Sequence, residues 1–195
     1  VDMALRAIFA IQHSIMARPA FKRAWTKIIP PHLERSVFVL AATACVALLI
    51  WQWRPVTDPV WSVSAPMVRV ALYALQALGW GTALLSTFLI NHFELFGLTQ
   101  TFDALVGRTP TAQSFKTPSL YRVVRHPLYL GFIIAFFATP DMSVGHLLFA
   151  LGGTGYILVG IFFEERDLIA HFGEKYRAYR KRVPMLLPLT GGRKT

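Results

Sequence analysis

Charge is scarce in this chain. Only 15% of its 195 residues are Asp, Glu, Lys or Arg, and 54% are hydrophobic. A soluble domain carries about 25% charged residues, so a wholly water-facing protein is excluded. Acidic residues are the scarcer sign, ten against twenty Lys and Arg, for a net charge of +10. Cysteine is nearly absent. The lone Cys45 lies inside an apolar run, which rules out an internal disulfide and suits a small buried hydrophobe. The six His are scattered with no pair four apart, so no metal centre is expected. No internal repeat and no signal-peptide layout is present. The chain opens on Val1, almost directly into an apolar segment, and an upstream helix stays open.

What the chain has instead is long apolar runs. Five stand out, at 3–17, 36–53, 67–90, 128–139 and 147–163. They predict an all-α integral membrane bundle of about five transmembrane segments, forming a single domain over 1–195. The fourth is short: twelve residues rise about 18 Å against a hydrocarbon core of about 30 Å. Whether it crosses with help from its flanks or forms a hairpin with the fifth is open. Gly152, Gly153, Gly155 and Gly160 in the fifth permit close helix packing. From 164 onward the character changes. Leu168, Phe172, Tyr176, Tyr179 and Val183 recur at three and four residues among charged positions, which predicts a C-terminal amphipathic helix on the membrane surface or on the protein's own cytosolic face. Residues 184–188 (PMLLP) read as a short apolar anchor.

The basic residues explain the net charge without nucleic acid. Seventeen of the 20 fall in the regions 18–35, 108–125 and 166–195. These share one face if the segments alternate. Basic loops stay in the cytosol, so the expected topology has the N-terminus outside and the C-terminus in the cytosol.

Chemistry concentrates at residues 121–131 (YRVVRHPLYLG). Arg122, Arg125 and His126 precede Pro127, and an apolar helix follows. Proline suits the first helical position because its missing N–H would be unpaired there. A helix N-terminus beside a cation attracts anions. Gly131 lets a flat ligand or another helix approach the backbone. Glu164 and Glu165 close the fifth segment on the same face, so they should neighbour Arg125 and His126. Two carboxylates at a membrane boundary are costly unless paired or hydrated. They fit a salt bridge to Arg122, Arg125 or Arg166, or a polar ligand pocket. The Arg and His equally fit interfacial anchors. His13 and His92 stand near the same face as ordinary interface residues or as bases.

The pattern Arg125-His126-Pro127-x-Tyr129-x-Gly131, then Glu164-Glu165-x-x-Leu168, Phe172-Gly173-x-x-Tyr176-x-x-Tyr179 and Val183-Pro184 resembles the isoprenylcysteine carboxyl methyltransferase and phospholipid methyltransferase superfamily of membrane enzymes. Residues 12–19 (QHSIMARP), 51–55 (WQWRP), 89–100 (LINHFELFGLTQ) and 119–131 (SLYRVVRHPLYLG) are similar to one branch, the bacterial methanethiol S-methyltransferases. The resemblance implies S-adenosylmethionine (SAM) as cofactor, held by Arg125, His126, Pro127, Leu128, Tyr129, Gly131, Glu164 and Glu165. It implies a small apolar thiol as acceptor, dimethyl sulfide as product, and a bacterial inner membrane as location. His13 and His92 are the expected bases for the thiol, with Asn91 and Tyr129 orienting it. The sulfonium itself favours a thiolate beside it, so a dedicated base is not obligatory. An isoprenylcysteine carboxylate or a lipid amine is the alternative acceptor. A transporter or assembly protein is the non-enzymatic alternative.

Overall fold

A computed structural model describes residues 2–108 and 115–188. Its elements are α1 (Asp2–Met16), α2 (Pro19–Trp25), α3 (Glu34–Trp51), β1 (Pro59–Ser62), α4 (Pro66–Ile90), α5 (His92–Leu95), α6 (Leu98–Leu105), α7 (Pro127–Phe137), β2 (Asp141–Ser143), α8 (Val144–Phe172) and α9 (Glu174–Arg182). Among the described residues, three helical stretches are long and apolar enough to cross a bilayer: Pro31–Trp51, Pro66–Ile90 and Val144–Phe172. Their large side chains mostly face outward, Leu40, Ile50, Leu78, Leu84, Val159 and Phe162 among them. Such surfaces need lipid around them, and the chain is an integral membrane protein. α7 spans 11 residues and α1 spans 15, both shorter than a full crossing.

The chain forms two compact units, one of residues 1–55 and 91–112, the other of 56–90 and 113–195. In the first, α1 packs along α3, and Phe38 is the buried residue of α3. Arg35 Nε donates to the Leu95 carbonyl at 2.7 Å. Ser36 Oγ donates to the Gly97 carbonyl at 3.2 Å. Gly97 has φ +80°, and a side chain there would meet the Ser36 backbone nitrogen at 2.6 Å. A glycine is therefore needed for both conformation and contact. Cys45 is half-buried on α3, less enclosed than its apolar surroundings predict.

The second unit is built on α4 and α7. Gly79 and Ala83 of α4 meet Gly131 and Ala135 of α7 with almost no side chain between them. A Cβ on Gly131 would lie 2.6 Å from the Ala83 nitrogen and 2.6 Å from the Gly79 carbonyl oxygen. Small residues allow this approach, and dispersion across the close contact holds the helices together. α8 packs against α7, with Phe149 edge-on to Phe136 at 5.0 Å.

Three expectations change. A small antiparallel sheet, β1 with β2, interrupts the all-helical reading, because strands of four and three residues are too short to show alternation. It ties α8 down: Ser143 Oγ accepts from the His146 N–H at 3.2 Å, and Asp141 pairs with Arg69 at 2.7 Å. The fifth segment does not end at 163. α8 continues through Glu164 and Glu165 to Phe172, and Gly173 at φ +56° separates it from α9, so the expected tail helix is two pieces. Of the segment-five glycines, Gly153 meets Phe136, whereas Gly155 and Gly160 have nothing within 4 Å.

Candidate active site

The geometry at the N-terminus of α7 follows from Pro127. The proline starts the helix and leaves His126 as its cap, buried at 4% exposure. Glu165 lies 21 residues into α8, about 31 Å along it at 1.5 Å per residue. That is roughly a bilayer core from the helix start, so its carboxylate sits where the span runs out. It is not solvated there. Arg125 Nε lies 2.8 Å from Glu165 Oε1, His126 Nε2 lies 3.2 Å from the same oxygen, and Arg180 Nε lies 3.4 Å from Oε2. The Arg125 and Glu165 side chains are only 9% and 10% exposed. A buried carboxylate requires such partners.

The C-terminal segment completes the cluster with its backbone. Arg125 Nη1 donates to the carbonyls of Val183 at 2.6 Å and Arg180 at 3.0 Å. The Arg125 and His126 N–H groups donate to the carbonyls of Pro184 at 2.8 Å and Met185 at 3.2 Å. Residues 184–188, expected as an apolar anchor, thus begin by bracing the site. Tyr179 is buried, and its hydroxyl donates to the Tyr121 carbonyl. Burial pushes the Tyr179 hydroxyl pKa up to about 12, the Arg125 charge opposing and the Glu165 charge reinforcing the shift. Glu164 is more open. Its side chain is 43% exposed, with Oε2 3.9 Å from His126 Nδ1. The Tyr129 hydroxyl interacts with it, and the Tyr129 ring lies 5.7 Å from the His126 ring.

In the first unit, Phe9, His13, Arg35, Phe38, Val46 and Phe96 help line an apolar cavity of about 340 Å³. The His13 ring rests against Phe38 at 4.8 Å, and the Arg35 guanidinium lies over the same ring at 5.3 Å.

Over 188 residues the chain is 56% identical to the methanethiol S-methyltransferase of Mycobacterium tuberculosis, covering 96% of this chain and 77% of that protein. It is 51% identical over 188 residues to the methanethiol S-methyltransferase of Pseudomonas deceptionensis, covering 96% and 72%. The chain belongs to the methanethiol S-methyltransferase family. A more distant likeness, 26% over 175 residues, covering 86% and 63%, links this family member to Nurim of Danio rerio. No protein-family model and no solved structure matches the chain.

For a member of this family, the site residues expected from sequence divide as follows. Arg125, His126, Pro127, Glu164 and Glu165 come together, with Leu128 and Tyr129 on the first turn of α7. Gly131 packs directly on α4, one of the two uses open to a missing side chain. Arg122 is turned away, donating to the Thr117 carbonyl at 3.3 Å, and Arg166 lies over Phe162. Asn91, expected to orient the thiol, is occupied as the cap of α5: its Oδ1 accepts from the Glu94 N–H and its Nδ2 donates to Glu94 Oε2 at 2.8 Å. His92 packs against Phe96 at 4.7 Å. Two participants escaped the sequence reading. Arg180 looked like part of a solvated charged face, although it directly follows the buried stripe residue Tyr179. Arg35 looked like the end of a basic loop.

Proposed function

We propose that this chain transfers a methyl group from SAM to methanethiol, releasing dimethyl sulfide. The carrying observation is family membership at about half identity along 96% of the chain. The donor set at α7 supports SAM. Exposed Glu164 suits hydroxyls or an ammonium group, and Arg125 and Arg180 suit a carboxylate. Bound there, SAM would supply an electrophilic methyl group on a sulfonium. The residues of the chain would then hold that end of the molecule rigidly and keep water from it. His126 and Pro127 fix the start of α7, Leu128 and Tyr129 form its wall, and Glu165 keeps Arg125 in place.

For the acceptor, support comes from the cavity in the first unit. Its apolar walls suit a small apolar thiol, and in this reading Arg35 would favour the thiolate over the thiol and His13 would take the proton. His92 remains the second candidate base and Tyr129 a candidate for orienting the acceptor, whereas the Asn91 side chain is engaged with Glu94 at the helix cap. The concentration of basic residues supports a cytosolic C-terminus and an outer N-terminus, and the bacterial relatives support a bacterial inner membrane, with the shorter α1 and α7 as the remaining two of five segments.

A panel of methanethiol, a farnesylated cysteine and a lipid amine, each offered with labelled SAM in liposomes, tests the acceptor. Label is expected in headspace dimethyl sulfide. Label found only in the prenyl or lipid product would move the assignment to those acceptors.

A further inference from the structure

Three tyrosines pack together between α9 and the start of α7, and the fold satisfies two of them. Tyr179 Oη donates to the Tyr121 carbonyl, and Tyr121 Oη donates to the Ser86 carbonyl at 3.4 Å. Tyr176 differs. It is 2% exposed, yet its hydroxyl has no hydrogen-bond partner among the described residues. A buried hydroxyl without a partner costs about 1–3 kcal/mol, and native proteins rarely keep one without a reason. Its ring is held by Phe115 at 6.0 Å and by Tyr179 at 5.8 Å. Tyr176 stands one turn before Arg180 on α9, whose guanidinium reaches Glu165 at 3.4 Å, and the charges of Glu165, Arg125 and Glu164 act on its hydroxyl.

We propose that Tyr176 Oη is a further contact for the methyl donor, made to a hydroxyl of its ribose. The inference rests on the donor-site reading above. The chemistry of the cluster selects the ribose. Ionised Glu164 and Glu165 only accept hydrogen bonds, and Arg125 and Arg180 only donate them. A phenol does both, and so does a sugar hydroxyl. Tyr176 would therefore take the hydrogen bond that a carboxylate beside it leaves over. The sequence reading placed Tyr176 in an apolar stripe. Its ring does occupy that stripe, and only the hydroxyl is left for a ligand.

Tyr176→Phe separates this role from a structural one, with Tyr179→Phe as control. Each purified variant is measured for its unliganded thermal midpoint and for binding of SAM and of S-adenosylhomocysteine. Tyr176→Phe should leave the unliganded midpoint unchanged or raised, because it removes an unpaired group, and should weaken both ligands roughly five- to tenfold, the worth of one hydrogen bond. Tyr179→Phe, which removes a satisfied hydrogen bond, should lower the midpoint. Wild-type binding by Tyr176→Phe would overturn the proposal, and so would a fall in its unliganded midpoint matching that of Tyr179→Phe. Wild-type protein that binds neither ligand would overturn the donor site itself, a result distinct from equal binding by wild type and Tyr176→Phe.

Discussion

At the scale of single residues, Glu165 organises the site. It meets two cationic side chains and one imidazole, and the two closest are buried with it. Removing one partner of a buried pair strands the other charge. Arg125→Ala should therefore cost about 3 kcal/mol, and it should also free the segment after Val183, whose carbonyls it holds. Thermal denaturation in detergent and limited proteolysis of the C-terminus check both effects. Arg180 has a side chain 51% exposed, and Arg180→Ala should cost less than about 1 kcal/mol. Tyr179 makes a pH-dependent contribution. Its folded pKa, about 12, lies above the ordinary 10, so its share of stability is whole below pH 10 and falls as pH rises toward 12. The stability difference between wild type and Tyr179→Phe should shrink over that window, and melting curves at successive pH values will show it. A constant difference would mean that Tyr179 does not titrate with unfolding. The meeting of Arg125, His126 and the Glu pair was legible in the sequence, because Pro127 marks a helix start and the Glu pair closes an apolar run. Arg180 was not, since nothing in a charged helix face says which charge turns inward.

At the scale of elements, the α4–α7 contact carries the second unit. Gly131→Ala would drive a methyl group into the α4 backbone at 2.6 Å, and overpacking there should cost about 3 kcal/mol. Gly81→Ala, on the same α4 with nothing within 4 Å, should instead gain up to about 1 kcal/mol from helix propensity. Opposite shifts in thermal midpoint are the expected outcome, and equal shifts would show that the close contact is not made. Apolar runs made α3 and α4 readable, and their bounds lie close to those expected. The end of α8 was not readable in this way. Hydropathy falls at Glu164, but helical hydrogen bonding does not depend on hydropathy and continues to the glycine that stops it. The β1–β2 pair stayed hidden because its strands are too short for a pattern.

At the scale of the molecule, the apolar surfaces of α3, α4 and α8 set the enzyme in a bilayer, and the proposed topology puts the basic regions and the C-terminus in the cytosol. With Cys45→Ala as background, a cysteine placed at Asp58 should react with an impermeant thiol reagent in intact cells, and one at Lys175 only after permeabilisation. The reverse pattern would invert the topology. The central claim is that the Arg125, His126 and Glu165 cluster is where the methyl donor binds. It is tested most directly by SAM binding and dimethyl sulfide production measured together for wild type, His126→Ala and Glu165→Ala, each first checked for folding. The account predicts binding and product from wild type, and loss of both from folded variants. Folded variants that bind SAM as wild type does would contradict it and return the cluster to a structural brace at the membrane boundary.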